Sequence, residues 1–218
     1  MVWGQKSRVA NRYKDLALTC ALRAGNGNLI TVLTRFRLFA DGIAIRHEFL
    51  YIQPSKFFIY ERTFIGVNDF PTTWAARNFE NHIGPIPLDT YTLSYEADRA
   101  AYKLAGFNGE DNGGLTPITL ENLNVKRSGN SFYMSIHEAG TMTAEPVKVE
   151  VKSNVIRLIS QYGPPSHVSG QLKSHWKTII LVKSAAKLIE SDLVLNVNES
   201  PEAGLDFSYV TPGLAMWD

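Results

Sequence analysis

The stretch RHEFLYIQPSKFFIYERTFIG, residues 46–66, decides the fold class, because two aromatic and aliphatic runs flank a polar break. Residues 49–52 form the first run and residues 57–60 the second, and both are rich in the residue types that fit a pleated, half-buried surface. Pro54 lies in the break and lacks the N–H that a sheet ladder needs. The stretch therefore predicts a pair of core strands.

Alternating patterns extend this prediction along the chain. Residues 15–24 and 29–39 alternate around GNGN, which predicts a hairpin, and residues 118–125 and 132–137 predict a second one. Residues 176–182 and 193–197 are predicted as the last strands. Helical spacing and capping favour short helices at 94–104 and 153–162, and a loop or short helix at 73–79. The predicted fold class is mainly β with some α: a single-domain sandwich or strongly twisted antiparallel sheet with two or three short helices.

Length and composition set the domain organisation. A chain of 218 residues builds one sizeable core without a metal or disulfide. We expect a mildly basic arm at 1–14, one β-rich domain at 15–197 and a tail at 198–218 that packs on the surface. Cys20 is the only cysteine, so no intrachain disulfide forms, and its place in a strand predicts a buried thiol. We find neither a signal peptide nor an apolar run long enough to span a membrane, so any membrane contact is expected to be peripheral.

Motifs that carry chemistry are missing from the sequence. The five histidines have no metal-binding spacing, no G-x-S-x-G elbow occurs, and the glycine-rich segments lack the lysine and helix of a phosphate loop. We therefore predict no catalytic residue, no cofactor, no metal and no enzymatic activity. An enzyme whose site is assembled from dispersed residues stays open at this point.

Charge is distributed unevenly although the net charge is only +1. Residues 1–67 hold ten basic and four acidic side chains, whereas residues 68–146 hold five basic and ten acidic ones. This division predicts either binding of an anionic partner and self-association, or two solvated faces. The candidate residues for binding anionic lipid or RNA are Lys6, Arg8, Arg12, Lys14, Arg35 and Arg37.

Several segments resemble the matrix proteins of rhabdoviruses. They are Arg12-Tyr13-Lys14, then EFLYI, KFFIYERTFIG, SFYMSIHEAG and WKTIILVKSAAKL, in this order. The resemblance implies a viral structural protein that self-assembles into an oligomer or lattice, bridges the viral nucleoprotein to anionic membrane, and is found in the virion and the host cell cytoplasm. Pro164-Pro165-Ser166-His167 departs from the Pro-Pro-x-Tyr signal of that family, which leaves the budding route in doubt.

A second resemblance points to capsid proteins. The segment KTIILVKSAAKLIESDLVLNVNES is similar to the last two strands of jelly-roll capsid (coat) proteins of small plant RNA viruses, which implies RNA packaging. The arginine-rich arm of those capsids is missing. The remaining alternative is a non-catalytic β-sandwich binding module.

Overall fold

The chain folds into two antiparallel β-sheets and two short helices. The structure, a computed structural model, describes residues 9–23, 27, 29–52, 59–68, 70–75, 84–88, 91, 116–122, 132–141, 147–152, 154–162, 170–199, 204, 206 and 209. The elements in chain order are β1 Lys14–Arg23, β2 Leu29–Phe39, β3 Gly42–Ile52, β4 Ile59–Gly66, β5 Thr72–Ala75, β6 Pro85–Pro87, β7 Ile118–Asn122, β8 Phe132–Ala139, β9 Lys148–Lys152, β10 Val155–Tyr162, β11 Gly170–Lys173, β12 Trp176–Val182, α1 Ala185–Glu190 and α2 Leu193–Val197.

The larger sheet has nine strands in the order β1-β2-β3-β12-β8-β7-β5-β6, with β11 paired to β3 as well. The smaller sheet has three strands in the order β4-β10-β9. In the described pairs every register is antiparallel, as short connections between neighbouring strands favour. The edge strand β6 contains Pro85 and Pro87, and proline is tolerated at an edge because it offers no ladder hydrogen bond. This architecture confirms the predicted fold class.

The main core lies between the two sheets. Its members include residues of β7 and β8 on one side and of β9 and β10 on the other, such as Ile118, Ile136, Val149 and Leu158, all fully buried. Aliphatic residues alternate with polar ones along each of these strands, so one face of each sheet enters the core. The sheets therefore form a sandwich over this part of the structure.

A second, smaller core lies on the opposite face of the large sheet. Here α2 places Leu193 and Val197 against Ala44 of β3, Trp176 of β12 and Ala139 of β8. Leu193 and Val197 are both buried because residues four positions apart lie on the same face of a helix. The helices thus cover the strands that are central to the large sheet.

The stretch 46–66 contains two strands that belong to different sheets. β3 ends at Ile52 in the large sheet, and β4 begins at Ile59 in the small one. The hairpins predicted from 15–39 and 118–137 are present as the pairs β1–β2 and β7–β8.

Several element predictions are wrong, each for an identifiable reason. Residues 155–162 form β10, because β-branched residues pair on both sides with β4 and β9 and override helical spacing. Residues 193–197 form α2, because the apolar run packs on a completed sheet face. Residues 72–75 form β5 instead of a loop or helix. The predicted helix at 94–104 lies outside the described residues.

Cys20 is exposed, contrary to the predicted buried thiol. It lies on β1, and this outermost strand of the large sheet is exposed along its whole length. The alternating sequence correctly indicates a strand, but burial depends on a second layer, which does not reach this edge among the described residues. In that part of the chain, no helix is long and apolar enough to cross a membrane.

Gly42 offers a direct test of the sheet-to-helix packing. A Cβ atom there would overlap the carbonyl oxygen of Ile179 and lie 2.7 Å from Cδ1 of Leu193, whereas a Cβ at Gly66 would meet nothing within 4 Å. We expect Gly42→Ala to lower the free energy of unfolding by about 1–3 kcal/mol, because the β3–β12 pairing or α2 must shift. Gly66→Ala is the matched control and should change it by less than about 0.5 kcal/mol. Urea denaturation measures both, and equal effects would contradict this packing.

Candidate functional site

Ionisable side chains converge where β3 changes its pairing partner. The first half of β3 pairs with β12 and its second half with β11, and the change occurs opposite His47. Ser174, which lies between β11 and β12, bridges the junction: its N–H donates to the His47 carbonyl at 2.8 Å, and its Oγ accepts from the His47 N–H at 2.9 Å. The chain continues from here into His175 and Lys177, whose side chains enter the interior.

Lys177 and Glu61 form an ion pair between the two sheets. Lys177 comes from β12 of the large sheet and Glu61 from β4 of the small sheet, and their side chains are only 1% and 4% exposed. His47 joins them, with Nε2 at 3.4 Å from Oε1 of Glu61 and Nδ1 at 2.9 Å from the Thr34 hydroxyl. Burial lowers the pKa of Lys177, and the Glu61 carboxylate opposes that effect. Burial also lowers the pKa of His47.

Glu138 forms a second buried pair next to the first. It lies directly across from Lys177 in the β8–β12 register. Its Oε2 accepts from His175 Nδ1 at 3.2 Å and from the Val147 N–H at 3.0 Å, while Thr116 donates to Oε1 at 2.6 Å. Burial alone raises the pKa of Glu138, but the hydrogen bonds from His175, Thr116 and Val147 outweigh it, and the pKa is lowered.

Two of the largely buried carboxylates, Glu138 and Glu48, are poorly suited to acid catalysis. Acid catalysis requires a carboxylic acid whose pKa is raised so that it holds a proton for the leaving group. Glu138 has a lowered pKa, and so does Glu48, where Arg35 and Arg46 outweigh the effect of burial. Both carboxylates are ionised at neutral pH and already bonded to protein donors. The ion pairs and hydrogen bonds of this network stabilise the contact between the sheets.

Arg35 and Arg37 lie on the face of the large sheet that points away from the small sheet, and both contact protein groups. Arg35 contacts Asp15 at 2.8 Å and Glu48 at 3.1 Å. The Arg37 guanidinium lies 4.5 Å from the ring centre of Tyr13 and 4.8 Å from that of Trp176, in cation–π geometry. Trp176 also contacts Arg46 at 4.4 Å. These two arginines thus belong to a layer of alternating cations and rings.

The structure describes only two of the other four predicted basic residues. Arg12 and Lys14 lie on an exposed segment at the start of β1, and Lys6 and Arg8 lie outside the described residues. Binding of an anion by any of the six stays a prediction. Within the described part of the chain, no group of three or more potential metal ligands is placed to hold an ion.

The buried ionisable residues are missed by motif searching. Glu61, Glu138 and Lys177 come from three strands that are distant in sequence, and only the fold brings them together. A weak signal exists in each case: a charged residue occupies the core-facing position of an alternating strand. Glu61 follows the run FFIY, and Lys177 opens the run KTIILV.

The described residues form a two-sheet antiparallel sandwich with an internal ion-pair network, which defines a β-sandwich domain. A family model described as Glycosyl-hydrolase 97 N-terminal matches residues 1–200. The chain therefore belongs to the family of N-terminal domains of glycoside hydrolase family 97.

Solved structures agree with this assignment at the level of the fold. A glycoside hydrolase family 97 enzyme from Pseudoalteromonas sp. strain K8, in complex with acarbose, is 19% identical, with a TM-score of 0.59 over 93% of this chain and 32% of that one. A variant of that enzyme in complex with panose is 18% identical, with a TM-score of 0.57 and the same coverage. The chain thus spans about a third of the length of these enzymes.

The family corrects the viral interpretation. The resemblances to rhabdovirus matrix proteins and to jelly-roll capsid proteins are wrong, because residues 1–200 match an N-terminal domain of a glycoside hydrolase family. The predicted role as a viral structural protein, its partners in viral nucleoprotein, RNA and anionic membrane, and its place in the virion and the host cell cytoplasm are wrong with it. The alternative of a non-catalytic β-sandwich module agrees better with the findings. The plain prediction of no enzymatic activity needs qualification, because the matching family model describes a domain of glycoside hydrolases.

Buried histidines and carboxylates make stability dependent on pH. The pKa values of His47 and His137 are lowered by burial, so their contribution to stability is present above 6.5 and is lost as pH falls through their folded-state pKa values. Glu48 and Glu138, also lowered, contribute above 4.5 and lose that contribution in more acidic solution. We expect the free energy of unfolding, measured with urea, to fall in two steps on acidification.

A double variant isolates the first step. His47→Gln combined with His137→Gln should flatten the dependence between about pH 7.5 and pH 5.5, where histidine titrates, and leave the acidic step unchanged. The same slope in this range for both proteins would show that other groups cause it.

Proposed function

We propose that this chain is the N-terminal module of a family 97 type glycoside hydrolase, that it performs no hydrolysis alone, and that it works beside a catalytic region. The observation that carries this proposal is the family match over residues 1–200, in a chain that spans about a third of a similar enzyme. The neighbour is an enzyme in complex with acarbose, and its variant is in complex with panose. The substrate class we infer for the complete enzyme is accordingly an oligosaccharide.

The chemistry of the interior supports a non-catalytic role. Hydrolysis needs two carboxyl groups at a site that a sugar can enter, one of them protonated. Glu61 and Glu138 lie between the sheets, and each contacts a buried cation or histidine there. These contacts stabilise the domain and leave the hydrolytic carboxylates to another part of the enzyme.

An exposed apolar surface supports a neighbouring catalytic region. Four leucines, each about half exposed, share one face of the β1–β2 hairpin, and the small sheet does not cover them. They are Leu16, Leu18, Leu22 and Leu38. The opposite face of β1 carries small residues, among them Ala17, Thr19 and Ala21. Contiguous apolar patches of this kind mark contacts with another body, and we assign this one to the catalytic region.

Incubation with panose tests the proposal. The purified chain should release no sugar above a buffer blank, whereas the Pseudoalteromonas enzyme serves as the active control. Affinity purification from the cells that make the chain should recover it joined to, or bound by, a region that hydrolyses glycosides. Sugar release that increases with the amount of the isolated chain would contradict the non-catalytic role. Recovery of the chain alone, with no associated hydrolase, would contradict the assignment to an enzyme.

A further inference from the structure

An aromatic and polar surface lies on the large sheet, on the side away from the inter-sheet core. On β5, β7 and β8 the core-facing residues Thr73, Leu120 and Ile136 are buried. Their strand neighbours point the other way because side chains alternate. The registers place four of these outward residues side by side, with the buried Ser135 next to Thr119: Trp74, Thr119, Glu121 and Tyr133.

Glu121 is the centre of this surface and contacts two aromatic residues. The Tyr133 hydroxyl donates to its Oε1 at 2.7 Å, and Trp74 Nε1 lies 3.4 Å from its Oε2. The bond to Glu121 raises the pKa of Tyr133, so the phenol keeps its proton. Each carboxylate oxygen accepts up to about two hydrogen bonds, so both retain capacity for an external donor. The Trp74 contact is long for a hydrogen bond, and the indole N–H is able to turn to a ligand oxygen.

Hydroxyl groups continue the surface along β7 and β8. Thr119 Oγ1 lies 2.7 Å from Ser135 Oγ, which is itself buried and lies 2.9 Å from Nε2 of His137, so Thr119 is the hydroxyl of this pair that borders the surface. Trp74 is 38% exposed, and Pro85 lies opposite it on β6. An apolar ring platform therefore borders a row of hydrogen-bonding groups.

The charge of the surface selects the ligand. Glu121 is the carboxylate on it, and the outward residues of β5, β7 and β8 in the described part of the chain include no lysine or arginine. An anionic ligand would be repelled. A ligand rich in hydroxyl donors, with an apolar C–H face to stack on an aromatic ring, fits both halves of the surface, and pyranose sugars have this chemistry.

We propose that the Trp74–Glu121–Tyr133 surface binds a neutral saccharide chain. One sugar ring stacks on Trp74, and its hydroxyls donate to Glu121 and exchange hydrogen bonds with Tyr133. The choice of a saccharide over other hydroxyl-rich ligands rests on the proposed function, because the similar enzyme is recorded with acarbose and its variant with panose. The surface gives the module a role of its own: it holds substrate near the catalytic region.

Titration of the isotope-labelled full chain followed by NMR tests the site. The probes are panose, maltoheptaose, cellohexaose and xylohexaose, and the signal to follow is the indole N–H of Trp74, identified by its loss in Trp74→Ala. We expect at least one probe to shift this signal with a dissociation constant of about 1 mM or tighter. Trp74→Ala should weaken that binding by about tenfold or more, and Glu121→Gln and Tyr133→Phe by a few-fold each.

Phe64→Ala is the matched control. Phe64 is a 61% exposed aromatic residue on the small sheet, so its removal should leave the affinity unchanged. Three results would overturn the proposal: no probe shifts the Trp74 signal at about ten times the expected dissociation constant, Trp74→Ala binds as tightly as the parent, or Phe64→Ala loses as much affinity as Trp74→Ala. A surface that packs against protein instead would give the first result. None of these readouts depends on hydrolysis, so the site and the proposed function fail separately.

Discussion

The buried ion pair between Lys177 and Glu61 is the constraint on which the arrangement of the two sheets depends. Either charge alone in this interior would cost several kcal/mol of desolvation, so the two side chains must meet. Each is delivered by its own sheet, β12 on one side and β4 on the other. A slip of one residue in either strand register would turn the side chain to the opposite face and leave its partner unpaired. The pair therefore selects one register in both sheets and one way of stacking them, and hydrophobic packing alone would do so less strictly.

Much of the fold was predictable because apolar and polar side chains alternate with a period of two residues along many of its strands. The hairpins β1–β2 and β7–β8 and the strand β12 are visible as alternating runs. The failures fall where the local pattern is ambiguous and tertiary contacts decide. The sequence of β10 is equally compatible with a short helix, and pairing with β4 and β9 makes it a strand. Conversely, the apolar run of α2 is compatible with a strand, and packing against the face of the large sheet makes it a helix.

The candidate site was far less predictable than the fold. Motif searches detect residues at close spacing, whereas the buried network joins His47 and Glu61 to residues more than 70 positions away. The viral resemblance failed for a related reason. Short apolar segments such as EFLYI and KTIILV occur in buried strands of unrelated proteins, so they do not identify a family. The family is identified by a match over residues 1–200, a range that contains all twelve described strands.

The two faces of the large sheet divide the work of the domain. The inward face and the small sheet enclose the core and the ion pairs, which stabilise the fold. The outward face carries the helices at one end and the Trp74 surface toward the β6 edge. Function on this account belongs to exposed surfaces, namely the Trp74 surface and the leucines of the β1–β2 hairpin, and the concentration of ionisable residues inside is a feature of stability.

A double-mutant cycle on Lys177 and Glu61 tests this account most directly. Lys177→Met alone should lower the free energy of unfolding by about 3–5 kcal/mol, because it leaves Glu61 buried without its cation. Adding Glu61→Leu should recover at least about 2 kcal/mol of that loss, as expected for coupled neighbours. The exposed pair Lys187 and Glu190, changed in the same way, should couple by less than about 0.5 kcal/mol. A coupling free energy between Lys177 and Glu61 as small as that of the exposed pair would contradict the claim that this interaction determines how the sheets meet.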